Sequence, residues 1–183
     1  MNTPAGMADR CARNLHAMSK VVPPRVQAAT WGWIWNKWTT EKRTRQTRSN
    51  TCLLCRLPHT EDSAEHYCVC SVISDGMLKT NMAPSRFMGR RAWALVSVEL
   101  SYTEDLCKLG CFIYATNIVT CRIRHGDGLR FLDRGDVVEA VLQSTKEAVK
   151  GHRTSSDIMA KCWSTSTTAT QIAPLGDRNP RLS

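Results

Sequence analysis

Residues 104–124, EDLCKLGCFIYATNIVTCRIR, place Cys107, Cys111, Tyr114, Ile118 and Cys121 at successive spacings of four, three, four and three. Side chains so spaced share one face of an α-helix, and the stretch is predicted to be a helix with an apolar stripe. The stripe also assigns three cysteines. An unpaired cysteine packs as a small hydrophobe, so Cys107, Cys111 and Cys121 are expected in the core. A second metal site built from them would lack a histidine on the same face.

Working outward, His125-Gly126-Asp127-Gly128 reads as a turn. Asp136 with Glu139 three residues on has the pattern of a capping box, and Gly151 is placed to end a helix whose apolar face is Val138, Val141, Leu142, Thr145 and Val149. From Thr154 onward Ser and Thr dominate without an apolar period, and residues 154–183 are expected to be a disordered tail. Toward the N-terminus, residues 91–100 are apolar enough for a buried helix, with a strand left open by Val96 and Val98. Asp75-Gly76 and Pro84 mark a loop. Pro23-Pro24 opens a helix predicted to run for about twenty residues from Arg25, in a Trp-rich basic helical segment over 25–50. In it Ala28, Trp31, Trp35 and Trp38 form a stripe expected to be core, while Trp33 points nearly the opposite way and is either exposed or in need of a second surface. Residues 1–24 carry a weak helix from Met7 to Lys20. The sum is a mostly α-helical, bundle-like fold of four or five helices, with a helical region over 84–153 and a small insertion at 51–72.

That insertion carries the chemistry. Cys52-Leu-Leu-Cys55, ten residues, then His66-Tyr-Cys-Val-Cys70 gives C-x2-C-x10-H-x3-C. Zinc takes four thiolate or imidazole ligands in a tetrahedron. One tight turn supplies Cys52 and Cys55. His66 and Cys70, four apart, share the face of a helical turn and supply the other two. Cys68 becomes an alternative ligand if the stretch is extended, and His59 in the loop is also available. Four protein ligands leave no open position, so one structural Zn2+ is expected, with binding free energies of about 10–16 kcal/mol typical of such peptide sites.

The chain has 25 Lys+Arg against 16 Asp+Glu, a net charge of +9, which points to a polyanionic partner: RNA or DNA first, an acidic membrane surface second. The basic segment from Lys37 to Arg56 runs into the cysteine motif, and Lys37, Lys42, Arg43, Arg45, Arg48 and Arg56 are the candidate phosphate contacts. Nine cysteines with no secretory signal predict a reducing compartment, nuclear or cytoplasmic. No stretch is read as approaching the ~20 apolar residues of a membrane span. His16, His125 and His152 are isolated, there is no Gly-rich phosphate loop, and no base is placed beside a cysteine, so no catalytic residues are assigned.

Trp35-Asn36-Lys37-Trp38-Thr39-Thr40 through Arg43, Cys52-Leu-Leu-Cys55, and Glu61-Asp62-Ser63-Ala64-Glu65-His66-Tyr67-Cys68-Val69-Cys70 together resemble the zinc-knuckle region downstream of reverse transcriptase in non-LTR retrotransposon polyproteins. The resemblance is to the versions abundant in protist genomes, dinoflagellates especially. Ile113 to Asn117 and Glu147 to His152 are similar to the helical tail of those reading frames, so the likeness spans about residues 21–153. It implies Cys52, Cys55, His66 and Cys70 as ligands and other parts of a polyprotein as further partners. The adjacent aspartates of a polymerase are missing, and the loop before His66 is longer than in retroviral nucleocapsid knuckles. The leading expectation is a non-catalytic, zinc-stabilised nucleic-acid-binding module. The alternatives are a structural or protein-interaction zinc module and a decaying retroelement fragment.

Overall fold

The computed structural model describes residues 6–38, 40, 42, 51–100, 102–126 and 133–166. In chain order they form α1 (Met7–Ser19), α2 (Pro24–Ile34), α3 (Ala64–Tyr67), α4 (Ser71–Lys79), α5 (Pro84–Phe87), α6 (Arg90–Trp93), α7 (Thr103–His125), α8 (Arg134–Val149) and α9 (Arg153–Ser166). The fold is mostly α-helical. Among the described residues the β-structure is one isolated bridge, Thr51 to Pro58.

The predicted helix over 104–124 is α7, and it is the axis of the molecule. Helices α1, α2, α8 and α9 all pack on it. It is buried on more sides than its cysteine stripe indicates: Leu106, Leu109, Phe112, Ile113, Val119 and Ile123 are buried along with Cys107 and Cys111, whereas Tyr114, Ile118 and Cys121 are only half-buried. Such a helix is long and apolar enough to cross a membrane, contrary to the expectation that no stretch would be; here 67% of the qualifying window is buried inside the fold, as in the core helix of a bundle. Gly110 lets α7 approach α1 and α2, because a Cβ there would lie 3.1 Å from Met18 Sδ and from Val26 Cγ1.

Helix α1 forms as expected, and Asn14, which weakens the sequence signal for it, is its anchor. Its buried amide donates to the carbonyls of Leu95 and Val98, the latter at 2.6 Å, tying α1 to the loop after α6. That loop is where the 91–100 stretch leaves the helix predicted for it: Leu95 has φ +60° and the chain turns.

Helix α2 corrects the sequence reading twice. It stops at Ile34, about halfway along the predicted helix, and Asn36 then takes φ +49°. Asparagine is one of the few side chains that tolerates that region. The reversal brings the Trp38 ring back over Gly32, whose Cβ would lie 3.3 Å from it, and Trp38 Nε1 donates to Ala29 O at 3.1 Å. The tryptophan stripe is also inverted. Val26, Ala29, Thr30 and Trp33 are the buried face, while Ala28, Trp31 and Trp35 face solvent. Of the expected stripe only Trp38 is buried, and it lies beyond the helix. Trp33 meets Trp38 and Trp93 edge to face, with ring centroids 5.0 Å and 4.8 Å away.

Three further boundaries move. Asp75-Gly76 lies inside α4, where Gly76 sits against Phe112 and Val141. The capping box of α8 is one frame earlier: Asp133 accepts from the Asp136 amide at 2.9 Å, and the Asp136 carboxylate accepts from the Asp133 amide at 3.3 Å. The expected tail begins with a helix. His152 Nδ1 accepts from the Ser155 amide at 3.3 Å at the start of α9, and Ser155, Ile158, Met159 and Cys162 are buried against α7 and α8. The remainder of that tail, residues 167–183, lies outside the described residues.

Trp33→Ala is expected to lower unfolding free energy by about 3–5 kcal/mol through the cavity it leaves among Trp38 and Trp93. Trp35→Ala should change it by no more than about 0.5 kcal/mol. Urea denaturation of the two variants checks both, and equal losses would contradict the inverted stripe.

Candidate metal centre

Each ligand candidate is placed by a local rule. Cys52 and Cys55 flank a turn closed by the Arg56 amide donating to Cys52 O at 3.0 Å, which puts Arg56 at φ +53°. The Cys52 amide donates to Thr60 Oγ1 at 3.1 Å, and the Leu54 amide to Cys52 Sγ at 3.3 Å. The second pair does not share one helical turn, as the spacing predicts. Ser63 caps α3 by accepting from the His66 amide at 3.1 Å, fixing His66 within that single turn. The chain then breaks and restarts, so that Cys70 is the N-cap residue of α4. The two elements still converge.

The result is a compact cluster. One donor atom from each of Cys52, Cys55, His66 and Cys70 lies within 4.8 Å of all the others, and Cys55 Sγ and His66 Nε2 are 3.3 Å apart. The three cysteines are buried and His66 is half-buried. This Cys3His group could hold a metal ion. Crowding shows in the protonation chemistry. The hydrogen bond with Cys70, followed by burial, pushes the Cys55 thiol up to about 12. Cys70 is likewise pushed up to about 12, first by its bond with Cys52 and then by burial, against a lowering contribution from Cys55. Thiols held so close keep their protons unless a cation displaces them.

The two alternative ligands stay apart from the cluster. Cys68 caps α3, its thiol donates to Ala64 O at 3.4 Å, and burial pushes it up to about 12. His59 sits in the loop, exposed, at φ +59°.

What the sequence reading missed is how the loop is held to the bundle. Asp62, fully buried, accepts from the Tyr67 hydroxyl and forms an ion pair with Arg124 of α7 at 2.7 Å. Arg124 also donates to Tyr67 Oη at 3.3 Å. Burial pulls the Arg124 guanidinium down and pushes the Tyr67 hydroxyl well up; Tyr67 and Asp62 more than offset the former, so Arg124 stays charged. A carboxylate directly before a cap serine, with an arginine sixty-two residues downstream, gives no local sequence signal for this pairing.

The candidate phosphate contacts are unevenly placed. Arg56 is exposed on the loop, and Lys37 is exposed just beyond the end of α2. Lys42 is exposed but pairs with Glu61 at 3.3 Å and Glu65 at 3.7 Å. Arg43, Arg45 and Arg48 lie outside the described residues.

Metal content by mass spectrometry should fall to zero in a Cys52→Ser/Cys55→Ser variant and remain unchanged in Cys68→Ser. Asp62→Ala, which takes the carboxylate from a half-buried guanidinium, should lower unfolding free energy by about 1–3 kcal/mol in chemical denaturation.

No family model, curated protein or solved structure matches the chain.

Proposed function

We propose that the chain is a non-catalytic nucleic-acid-binding module built around one structural zinc, of the kind found at the end of retroelement polyproteins. The observation that carries this reading is the coincidence of a compact Cys3His cluster with a strongly basic chain. Three thiols and an imidazole are the donor set that soft, tetrahedral zinc prefers. Bonds of about 2.3 Å to sulfur and about 2.0 Å to nitrogen put tetrahedral neighbours roughly 3.5–3.8 Å apart, a spacing the 3.3 Å between Cys55 and His66 approaches. With four protein ligands there is no position for a reacting water, and the ion orders the loop.

The net charge of +9, with Arg56 exposed on the loop and Lys37 exposed after α2, supplies phosphate contacts that carry little sequence information. Lys42 already pairs with two glutamates, which a phosphate would have to displace. The resemblance to retrotransposon zinc knuckles supports the same setting, with template RNA or target DNA as the polyanion.

One observation favours a second reading, a protein-interaction module: Leu57 and Val69 are 43% and 63% exposed on the loop. A partner docked there would be held through apolar contact and would survive high salt.

Fluorescence anisotropy on single-stranded RNA and DNA separates the two. Binding is expected to weaken linearly in log–log terms with salt, and Lys37→Ala or Arg56→Ala should each shallow the slope by about 0.7. Absence of binding at low salt would remove the nucleic-acid reading.

A further inference from the structure

The inverted face of α2 leaves two large aromatic rings out of the core. Trp31 is 39% exposed and Trp35 63% exposed; their ring planes are 2° from parallel, with centroids 6.3 Å apart. They form one wall of a groove of about 470 Å³ between α1 and α2, whose other wall includes Cys11, Leu15 and His16 and whose floor includes Gln27. His16 also lines a neighbouring depression of about 440 Å³ that holds Arg13 and Lys20.

Charge around the groove is one-sided. Residues 10–40 contain Arg10, Arg13, Lys20, Arg25 and Lys37 and no aspartate or glutamate. The acid on α1 is Asp9, in its first turn. Arg10 and Arg25 are engaged with backbone carbonyls, of Val96 and of Glu147 and Lys150, and Arg13 and Lys20 form the exposed positive edge.

We infer that this groove receives unpaired nucleobases of a single-stranded nucleic acid, stacked on Trp31 and Trp35, with their phosphates against Arg13 and Lys20. The inference rests on the nucleic-acid reading above and names a surface for it on the opposite side of α2 from Trp33. An apolar peptide would account for the groove but not for the cations of α1 at its edge. A duplex would account for the cations but keeps its base faces covered. Flat π surfaces beside fixed positive charge are what single strands require, because every base offers a face to stack and every linkage a phosphate. Gln27 and His16 add groups that hydrogen-bond base edges.

Tryptophan fluorescence titrations with oligouridylate, oligodeoxythymidylate and a DNA duplex of equal length test this on the zinc-loaded chain. Single strands are expected to quench fluorescence, and Trp35→Ala should weaken their binding about tenfold or more. Trp35→Leu, which keeps apolar bulk without a π face, should weaken it equally, and Trp35→Phe should restore most of it. Duplex affinity should not change. Circular dichroism and denaturation matching the parent would confirm that these exposed positions leave the fold intact. A Trp31→Ala/Trp35→Ala variant that binds single strands as well as the parent overturns the groove and leaves the nucleic-acid reading standing. Retention in Trp35→Leu overturns stacking. A parent that binds no nucleic acid at low salt overturns both, and self-association abolished by Trp35→Ala in that parent would assign the groove to a second copy of the chain.

Discussion

The carboxylate of Asp62 has no access to water, and it is tolerable there only because Arg124 and the Tyr67 hydroxyl reach it. A lone buried charge of that kind costs several kcal/mol, far more than a loop of this size recovers from its own apolar contacts. The pair therefore sets where the loop lies. Asp62 fixes the residue before the Ser63 cap, the cap fixes His66, and Tyr67 turns inward toward Trp38. Since Arg124 belongs to the last turn of α7, the Cys3His cluster is indexed to the central helix of the bundle and not left to swing at the end of a linker.

Elsewhere on the fold, coverage of α7 decides the arrangement. Close approach at Gly110 brings α1 and α2 against it, and Gly76 does the same for α4 against Phe112. Pairs between neighbouring helices then lock orientation at the rim: Arg134 of α8 holds Asp75 of α4 at 2.6 Å, and Arg86 reaches Asp105 at 2.5 Å while lying over the Tyr102 ring. Exposed pairs such as the first add little stability. Their use here is registration between helices already driven together by apolar burial.

How much of this was legible differs by the range of the interaction. The Cys3His cluster was legible because its members are close in sequence and their chemistry is distinctive, even though His66 and Cys70 converge from two helices. Element type was legible wherever the period was strong, as in α7. The tryptophan face failed for a definable reason: Val26, Ala29, Thr30 and Trp33 satisfy the same three-and-four spacing as Ala28, Trp31 and Trp35. Periodicity identifies stripes but cannot choose between two apolar ones. The deciding partner, Trp93, is sixty residues away from Trp33. The end of α2 had a local signal in Asn36, outweighed by good helix formers after it. Helix α9 was hidden by composition, since its buried stripe at 155, 158, 159 and 162 is set among serines and threonines.

The same inversion bears on how a structural ion can matter for a surface it does not touch. A continuous run of rings leads from the metal loop to α2: Tyr67 to Trp38 at 6.4 Å, Trp38 to Trp33 at 5.0 Å, with Trp93 closing the cluster at 4.8 Å. Trp33 is the inward residue of the helix whose outward residues are Trp31 and Trp35. If ligation orders the loop, it also fixes Tyr67, and through the packed rings the rotation of α2 about its axis. Side chains in a close-packed interior do not shift singly. On this argument an ion held by the Cys3His cluster would act on the outer face of α2 without touching it. It would steady the inner face of a two-faced helix whose outer face carries the exposed Trp31 and Trp35.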